Sequence, residues 1–335
     1  MQTSAGRWAA ILTCTLTIVA GCGGRGGADV QLDGSSTVFP VSARVAENLR
    51  YEGIYIRVTV ARSGTGGGMD RFSKGDIDIC DASRAMKSGE AKACQEAGVE
   101  FEHFIVAYDG IAVCVNPKNT WCNGLTVKQL NRLFCYESEI QTWSDLNPEW
   151  PEKEINLFGP GVDSGTYDTF NEHVLGKGAK VRIGYTKSEE DNVLVNGVSQ
   201  DEYALGYFGF GYFVENSTNL KVLGIKQGES GEYVVPTIES IRDKSYSPLS
   251  RPLYIYVNLK SFKNPRVAEF VEFYLNHADE AAVEERYVPI TEVDAKENQR
   301  KLMALKASFD SVDAANQSAD ATGLMMAGGD QSWTP

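Results

Sequence analysis

The sequence predicts an α/β fold with largely parallel sheets, and three observations support this prediction. Short β-branched runs, such as IYIRVTVA at residues 54–61, alternate with segments whose apolar residues recur every three or four positions. Glycine-rich turns separate these segments. The chain has 335 residues, 42% of them hydrophobic and 23% charged, so it is long enough for two domains. Strands that alternate with helices are typical of parallel sheets.

The first half of the chain repeats the order strand, turn and helix. The helix after the first strand places Val41, Val45 and Leu49 on one face. The turn ARSGTGGG, which ends at Gly68, leads into a short helix that begins near Met69. The other predicted elements are strands at 30–32, 54–61 and 77–80, a helix at 87–98, and two strand segments within 103–117.

The second half begins with a capping box, since Thr126 is followed three residues later by Gln129, in front of the helix VKQLNRLF. Glycine and aromatic residues alternate at 203–213. A cofactor box is possible there, but a strand packed against the core is the favoured interpretation. Asn264 and Pro265 start a helix with one apolar face. The other predicted elements are strands at 154–159 and 251–258, a turn at 160–166, a helix at 167–175 and a mobile tail at 311–335.

The charge of the chain limits the classes of partner. The formal net charge is −13 and the pI is about 4.8. Because phosphate backbones need a basic face, this composition excludes nucleic acid as a partner. A site for a small anion therefore needs local donors that act against the field of the whole chain.

The first 22 residues have the order of a secretory signal. Arg7 precedes an apolar stretch from Trp8 to Ala20, which Cys22 follows closely. A transmembrane helix is the alternative, but a span needs about 20 apolar residues. The ending VAGC resembles a bacterial lipobox. We therefore predict a signal peptide at 1–21, a lipidated Cys22, a tether at 22–29 and a membrane-anchored lipoprotein on the periplasmic or cell-surface side.

Five further cysteines leave an odd number for pairing in the mature chain: Cys80, Cys94, Cys114, Cys122 and Cys135. Export makes disulfides permissible, and at least one thiol stays unpaired. Proximity in sequence alone favours Cys80 with Cys94 and Cys122 with Cys135. Since no pair has CxxC spacing and only three histidines are available, we predict no metal site and no cofactor.

Three turns share a pattern of hydroxyl residues: Ser35-Ser36-Thr37, Ser63-Gly64-Thr65 and Ser164-Gly165-Thr166. Each follows a predicted strand and precedes a predicted helix. Such a turn brings free N–H groups and the positive end of the helix dipole to the edge of the sheet, which favours an anion. Ser and Thr hydroxyls add uncharged donors, and glycine lets the backbone approach a ligand closely.

The alternative is that each hydroxyl residue is an N-cap, which contributes about 1 kcal/mol to its helix. For a single turn the N-cap interpretation is favoured. Three similar turns together favour a site for a compact tetrahedral oxyanion. The sequence DASR at 81–84 ends the third strand at the same edge of the sheet. Its Arg84 offers a planar fork of donors and its Ser83 a hydroxyl, although a surface ion pair is an equal alternative for Arg84.

Seven motifs occur in order along the chain: DGSSTVFP, RSGTGGGMDRF, DICDASRAM, IAVCVNP, LTVKQLNRLF, TWSDLNP and GPGVDSGTYDTF. In this order they resemble the phosphate-binding lipoproteins of bacterial phosphate ABC transporters. The resemblance runs from about Val30 to residue 310. Each motif alone is weak, and the combination is specific.

The resemblance implies the two-lobed periplasmic-binding-protein fold of type II, with two mixed, mainly parallel sheets and a two-strand hinge. Lobe 1 is then expected at 30–115 plus 255–310, and lobe 2 at 116–254. The segments IAVCVNP and RPLYIYVN are expected to form the hinge, and the ligand to bind in the cleft between the lobes.

The resemblance also implies ligands for phosphate. They are Ser36, Thr37, Ser63, Ser83 and Arg84 from lobe 1, and Ser164, Gly165 and Thr166 from lobe 2. The sequence departs from the better-studied branch at two positions. That branch has an arginine four residues before the second-lobe serine and an aspartate at the end of the DAS motif, where this chain has Pro160 and Arg84.

This departure leaves the acceptor for the phosphate proton unassigned. Asp163 and Asp81 are candidates, and Asp163 is alternatively the ion-pair partner of Arg84. Such an acceptor would distinguish phosphate from sulfate. Sulfate carries no proton at neutral pH, so it would place an oxygen lone pair against the acceptor.

The leading functional hypothesis is a receptor that is not an enzyme. It is expected to be a monomer that binds inorganic phosphate and delivers it to the permease subunits of an ABC transporter, and through them to the ATPase. A receptor for sulfate, arsenate or a phosphorylated small molecule is the nearest alternative. A sensor or adhesin with the same fold is another alternative. A secreted serine-dependent phosphoesterase is disfavoured, because the chain lacks a G-x-S-x-G elbow.

Overall fold

The computed structural model describes residues 27–228 and 230–327. Its strands are β1 (Val30–Gly34), β2 (Val58–Val60), β3 (Ile79–Ala82), β4 (Phe101–Val115), β5 (Gly124–Thr126), β6 (Asn156–Gly159), β7 (Thr186–Lys187), β8 (Ala204–Gly209), β9 (Lys221–Val222), β10 (Gly224–Lys226) and β11 (Ser250–Asn258). The predicted signal peptide, the lipidation site at Cys22 and most of the predicted tether lie outside the described residues.

Twelve α-helices occur in the described residues, and a π-helical turn, Asn171–Leu175, follows the sixth. They are α1 (Phe39–Tyr51), α2 (Gly64–Ser73), α3 (Ser88–Glu96), α4 (Val127–Phe134), α5 (Trp143–Leu146), α6 (Gly165–Phe170), α7 (Asp191–Gln200), α8 (Phe210–Glu215), α9 (Ile238–Arg242), α10 (Leu259–Phe262), α11 (Pro265–Glu284) and α12 (Glu292–Ala327). No helix in the described part of the chain is long and apolar enough to cross a membrane.

The strands form a mixed nine-stranded sheet and a small parallel pair. The order in the large sheet is β2-β1-β3-β11-β4-β8-β6-β7, and β9 also pairs with β4. The outer pairs are parallel, whereas β11 and β4 run antiparallel to their neighbours. The separate pair consists of β10 and β5. The fold is therefore mixed α/β, and the predicted fold class is confirmed.

Strand β4 joins the two halves of the large sheet. Residues 101–110 lie opposite β11, and residues 111–115 pair with β8. The sequence predicts two strand segments here, and this detail is wrong, because the backbone stays extended where the strand changes partner. The predicted strand at 251–258 is confirmed as β11, which lies against the first part of β4 and carries a bulge between Leu253 and Tyr254.

The two largest apolar cores lie on the two halves of the sheet. The first contains the predicted face of α1, with Val41, Val45 and Leu49 fully buried, and it includes residues of α11. The second contains stacked aromatic rings, among them Phe170 and Tyr207 with ring centroids 3.8 Å apart. Buried apolar area is the main favourable term in folding, so two cores support the predicted division into two lobes.

Several local predictions are confirmed. Thr126 Oγ1 accepts a hydrogen bond from the Gln129 N–H at 3.1 Å, and Gln129 Oε1 accepts one from the Thr126 N–H at 2.9 Å, which completes the capping box. The π-helical turn ends at Gly176, whose φ of 97° favours glycine. The segment at 203–213 contains a buried strand, as predicted, followed by the start of α8.

The predicted start of one helix is wrong, and part of the predicted tail is helical. Helix α2 begins at Gly64 rather than near Met69, because the tight packing of Gly68 on the backbone of Gly34 offsets the low helix propensity of glycine. Helix α12 continues to Ala327, so residues 311–327 of the predicted tail are helical, and residues 328–335 lie outside the described residues. Alanine and methionine are strong helix formers, so this segment is helical although it has little apolar surface to bury.

The predicted disulfides are also wrong, because all five described cysteines are free. Cys80 and Cys94 are both buried in one apolar cluster without a bond between them. Proximity in sequence does not supply the Cβ geometry that a disulfide needs.

Candidate functional site

A cavity of about 500 Å³ lies where the two lobes meet, and we call it the main cleft. Residues from both lobes and from β11 line it. They include Ser36, Thr37, Ser63, Thr65, Ser83, Arg84, Lys87, Asp168, Glu172, Lys177 and Arg251. All five predicted first-lobe ligands are therefore brought together in one cavity.

A second cavity, of about 480 Å³, lies on the other side of the turn at 35–37, and we call it the adjoining cleft. Its lining includes Ser36, Arg62, Asp109, Asp163, Ser164, Gly165, Thr166, Glu189, Asp191, Glu285 and Arg286. The predicted second-lobe ligands therefore face this cleft rather than the main one. Ser36 lines both clefts.

The two clefts are separated by direct contact between the turns of the two lobes. A Cβ atom placed on Gly165 would lie 2.4 Å from Thr37 Oγ1 and 2.8 Å from the Thr37 backbone N. Real Cβ atoms do not come so close, so only glycine fits at this position where the two turns meet. Gly165 is thus a packing residue at the junction of the lobes.

The first-lobe turns are held by a buried carboxylate that the sequence analysis did not assign. Asp33 is 2% exposed and accepts hydrogen bonds from the backbone N–H groups of Gly34, at 2.8 Å, and Ser63, at 2.9 Å. Arg71 pairs with it at 2.5 Å. Burial works against the charge of Asp33, but the bonds from Arg71 and Ser63 prevail and lower its pKa.

Glycines bring the same turns close together. A Cβ atom on Gly68 would lie 2.5 Å from Gly34 Cα, so helix α2 packs directly on the end of β1. The sequence predicts that the glycines of ARSGTGGG let the backbone approach a ligand. The structure shows that its last glycine serves the approach of a second turn.

The hydroxyl groups of the turns differ in what they bond. Thr37 Oγ1 accepts a hydrogen bond from Arg251 Nη2 at 2.7 Å, and Ser164 Oγ accepts one from the Thr166 N–H at 3.2 Å. Ser63 makes no side-chain cap bond to its helix. Because Thr37 and Ser164 act as acceptors in these bonds, the hydrogen of each hydroxyl is free for a further acceptor.

Arg84 lies in the main cleft but is not a free cation. Its Nη2 and Nη1 donate to Glu90 Oε1 at 2.7 Å and Oε2 at 2.9 Å, a bidentate pair. The predicted alternative of an ion pair with Asp163 is therefore wrong, because Asp163 lines the adjoining cleft.

Arg251 is the buried basic residue of the cleft that the sequence does not predict, and the exposed Lys87 and Lys177 are not predicted either. It is 8% exposed and lies opposite Asp109 in the pairing of β11 with β4. Its Nε donates to Asp109 Oδ2 at 3.4 Å, and its Nη2 also donates to Thr169 Oγ1. Burial raises the pKa of Asp109 and the Arg251 charge opposes this, while a guanidinium stays protonated throughout the usual pH range. The available signal was an arginine at the start of an otherwise apolar hinge strand.

The two predicted proton acceptors do not reach the main cleft. Asp81 is fully buried and accepts from Ser42 Oγ at 2.9 Å, and burial raises its pKa to about 8. Asp163 lines the adjoining cleft. A third acid, Asp168, lines the main cleft and accepts from Ser36 Oγ at 3.3 Å, and desolvation raises its pKa.

The two clefts carry opposite charge. The main cleft is lined by four basic residues, Arg84, Lys87, Lys177 and Arg251, and by two acidic ones, Asp168 and Glu172. The adjoining cleft is lined by two arginines and by five acids. An anion is therefore favoured in the main cleft, within a chain whose net charge is −13. Within the described residues, no cluster of His, Cys, Asp and Glu side chains has the arrangement of a metal site.

Comparison with known proteins gives the family of the chain. A family model described as a PBP superfamily domain matches residues 23–278. The protein SphX of Synechocystis is 41% identical over 266 residues, which are 78% of this chain and 79% of SphX. The phosphate-binding protein PstS of Staphylococcus saprophyticus is 37% identical over 293 residues, 85% of this chain and 90% of PstS.

The chain belongs to the PBP superfamily, in the group of SphX and the phosphate-binding protein PstS. A solved structure within this family, a possible phosphate binding protein from Planctomyces limnophilus, is 40% identical with a TM-score of 0.79. The match covers 82% of this chain and 98% of that one. The two-lobed fold of the family is thus the fold of this chain, and members of the family are substrate-binding proteins of transporters.

Proposed function

We propose that this protein binds inorganic phosphate outside the inner membrane and delivers it to the permease subunits of a phosphate ABC transporter. The observation that carries this proposal is the main cleft, in which basic residues of both lobes and the Ser and Thr hydroxyls of lobe 1 surround one cavity of an acidic protein. Its relatives in the family include phosphate-binding proteins, which supports phosphate as the ligand.

The anion in this proposal lies beside Ser36 and Thr37. From there it takes hydrogen bonds from Ser63, Ser83 and Arg84 of lobe 1. The predicted ligands Ser164, Gly165 and Thr166 line the adjoining cleft, so in this proposal their turn packs behind Ser36 and Thr37 and closes the site without bonding the anion directly. Fixed donors replace the hydration shell of the ion, and closure of the lobes removes the remaining water.

Asp168 takes the place of the proton acceptor in this proposal. It lines the main cleft beside Ser36, whereas Asp81 is buried and Asp163 lies in the adjoining cleft. A carboxylate there accepts the hydrogen of monohydrogen phosphate and repels sulfate.

Asp168→Asn tests this assignment. The amide donates to either anion, so we expect the preference for phosphate over sulfate to fall at least tenfold in isothermal titration. Glu172→Gln is the matched control, because it removes the charge of the other acid of the cleft. It is expected to strengthen the binding of both anions alike. An unchanged preference in Asp168→Asn contradicts the role of Asp168.

Titration of the purified protein with phosphate, sulfate and arsenate tests the function as a whole. Phosphate is expected to bind with a measurable heat and sulfate far more weakly. Absence of phosphate binding, or equal binding of sulfate, rejects the proposal in favour of another oxyanion.

Anchoring and delivery are parts of the same proposal. A lipid on Cys22 holds the receptor at the membrane through the short glycine-rich tether, and the closed lobes present their outer surface to the permease. Replacing Cys22 by Ser is expected to release the protein into the soluble fraction while phosphate binding by the purified protein persists. Retention of the variant in the membrane fraction contradicts lipidation at this residue.

A further inference from the structure

We propose that Arg251, on the hinge strand β11, is the principal positive charge that binds the anion, and that it couples binding to closure of the two lobes. The inference rests on the proposed function, because it concerns the same anion.

The first step is the position of Arg251. It lies at the start of β11, opposite Asp109 of β4, and these are the strands by which the lobes are joined. Its side chain lines the main cleft although the residue is 8% exposed. A charge so far removed from water is costly unless it is compensated.

The second step is the compensation that the guanidinium receives. Nε donates to Asp109 Oδ2 at 3.4 Å, a long contact for an ion pair that lies directly opposite on paired strands. Nη2 donates to Thr37 Oγ1 at 2.7 Å and to Thr169 Oγ1. No described residue accepts a hydrogen bond from Nη1, so two N–H groups remain available to an anion in the cleft.

The third step is the comparison with Arg84. Both nitrogen ends of that guanidinium are engaged by Glu90, at 2.7 and 2.9 Å. Part of its charge is therefore neutralised before any ligand arrives. Arg251 has one distant carboxylate and two neutral hydroxyls as partners, so more of its charge is available to the ligand.

The fourth step links the charge to closure. Thr37 belongs to the first-lobe turn and Thr169 to helix α6 of lobe 2, and both accept from the same Nη2 atom. These two bonds coexist only when the lobes are together. An anion that bonds Nη1 fixes the orientation of the planar guanidinium, which favours both threonine bonds and the closed form.

The experiment compares three arginine variants by phosphate titration. Arg251→Gln is expected to weaken phosphate binding at least 100-fold, and Arg84→Gln about tenfold. Arg242→Gln is the matched control, because this arginine donates to the carbonyls of Pro289 and Ile290 near the hinge and does not line the cleft. Its affinity is expected to stay within threefold of the parent.

Thermal unfolding of each variant separates loss of binding from loss of fold. If Arg251→Gln does not fold, Arg251→Lys and Thr169→Val are used to test the proposal instead. The lysine retains the charge without the planar fork and is expected to bind roughly tenfold more weakly. Thr169→Val removes the second-lobe bond and is expected to reduce both the affinity and the compaction that phosphate induces in small-angle scattering.

The outcomes separate the two proposals. Absence of phosphate binding by the parent protein rejects the proposed function. Binding by the parent together with a folded Arg251→Gln of similar affinity, or with a larger loss in Arg84→Gln, rejects the role of Arg251 and leaves the function standing. If Arg251→Gln does not fold, parent-like affinity and compaction in both Arg251→Lys and Thr169→Val likewise reject it.

Discussion

The main cleft and the adjoining cleft lie on two sides of one contact, between Thr37 and Gly165, and they differ in charge. Four basic and two acidic residues line the first, and two basic and five acidic residues line the second. Turns with the same Ser, Gly and Thr pattern reach both clefts. The hydroxyl pattern therefore identifies where an anion site is built, whereas the charges around it decide on which side the anion lies.

The largest expected effect concerns the contact that separates the clefts. Gly165→Ala places a methyl group within 3 Å of the Thr37 backbone, so the lobes cannot close in the same way. We expect phosphate affinity to fall at least 100-fold, about 2.7 kcal/mol. Gly184→Ala is the control, since a Cβ there meets nothing within 4 Å. Parent-like affinity in Gly165→Ala shows that the closed contact is unimportant for binding.

The second effect concerns the acidic character of the adjoining cleft. Burial first, and then the neighbours Glu189, Glu190 and Asp109, raise the pKa of Asp191 to about 6. A carboxyl group whose pKa is raised on folding stabilises the protein fully below its unfolded pKa, near 4, and this contribution is lost as the pH rises to about 6.

We therefore expect Asp191→Asn to gain about 2 kcal/mol of stability relative to the parent between pH 4 and pH 6, measured by urea unfolding. Glu189→Gln is the comparison, because this acid of the same cleft is exposed and solvent screens its charge. A stability difference between Asp191→Asn and the parent that does not change with pH shows that the adjoining cleft is less acidic than its lining indicates.

The smallest expected effects compare how much the turns at 35–37 and 164–166 contribute to phosphate affinity. Thr37→Val removes a hydroxyl that Arg251 holds in the main cleft, and we expect a loss of about tenfold in phosphate affinity. Ser164→Ala removes a hydroxyl that faces the adjoining cleft, and we expect a loss of about threefold. Titration of both variants at one ionic strength gives the ranking. A larger loss in Ser164→Ala places the anion nearer the adjoining cleft.

Much of the site was predictable because it is local in sequence. Ser36, Thr37, Ser63 and Ser83 lie in short segments between a strand and a helix, and parallel strands bring such segments to one edge of a sheet. The capping box at Thr126 was predictable for the same reason, since both partners lie within one helical turn.

The contacts that were not predictable join distant parts of the chain. Arg251 bonds Thr37, 214 residues away, and the pairing of β11 with β4 sets it opposite Asp109. The bond from Ser36 to Asp168 spans 132 residues. The absence of a bond between Cys80 and Cys94, only 14 residues apart, depends on side-chain geometry that the sequence does not contain.

The α/β class, the hydroxyl turns and the family resemblance could be predicted from the sequence alone, because they depend on short-range pattern and on order along the chain. The tertiary structure was needed to show that Arg84 is already paired, that Arg251 lies in the cleft, and that the second-lobe turn faces an acidic cavity. These features depend on charge, which acts through space. The electrostatic environment of an anion site is set by residues that folding brings together, and their distance in sequence carries no information about it.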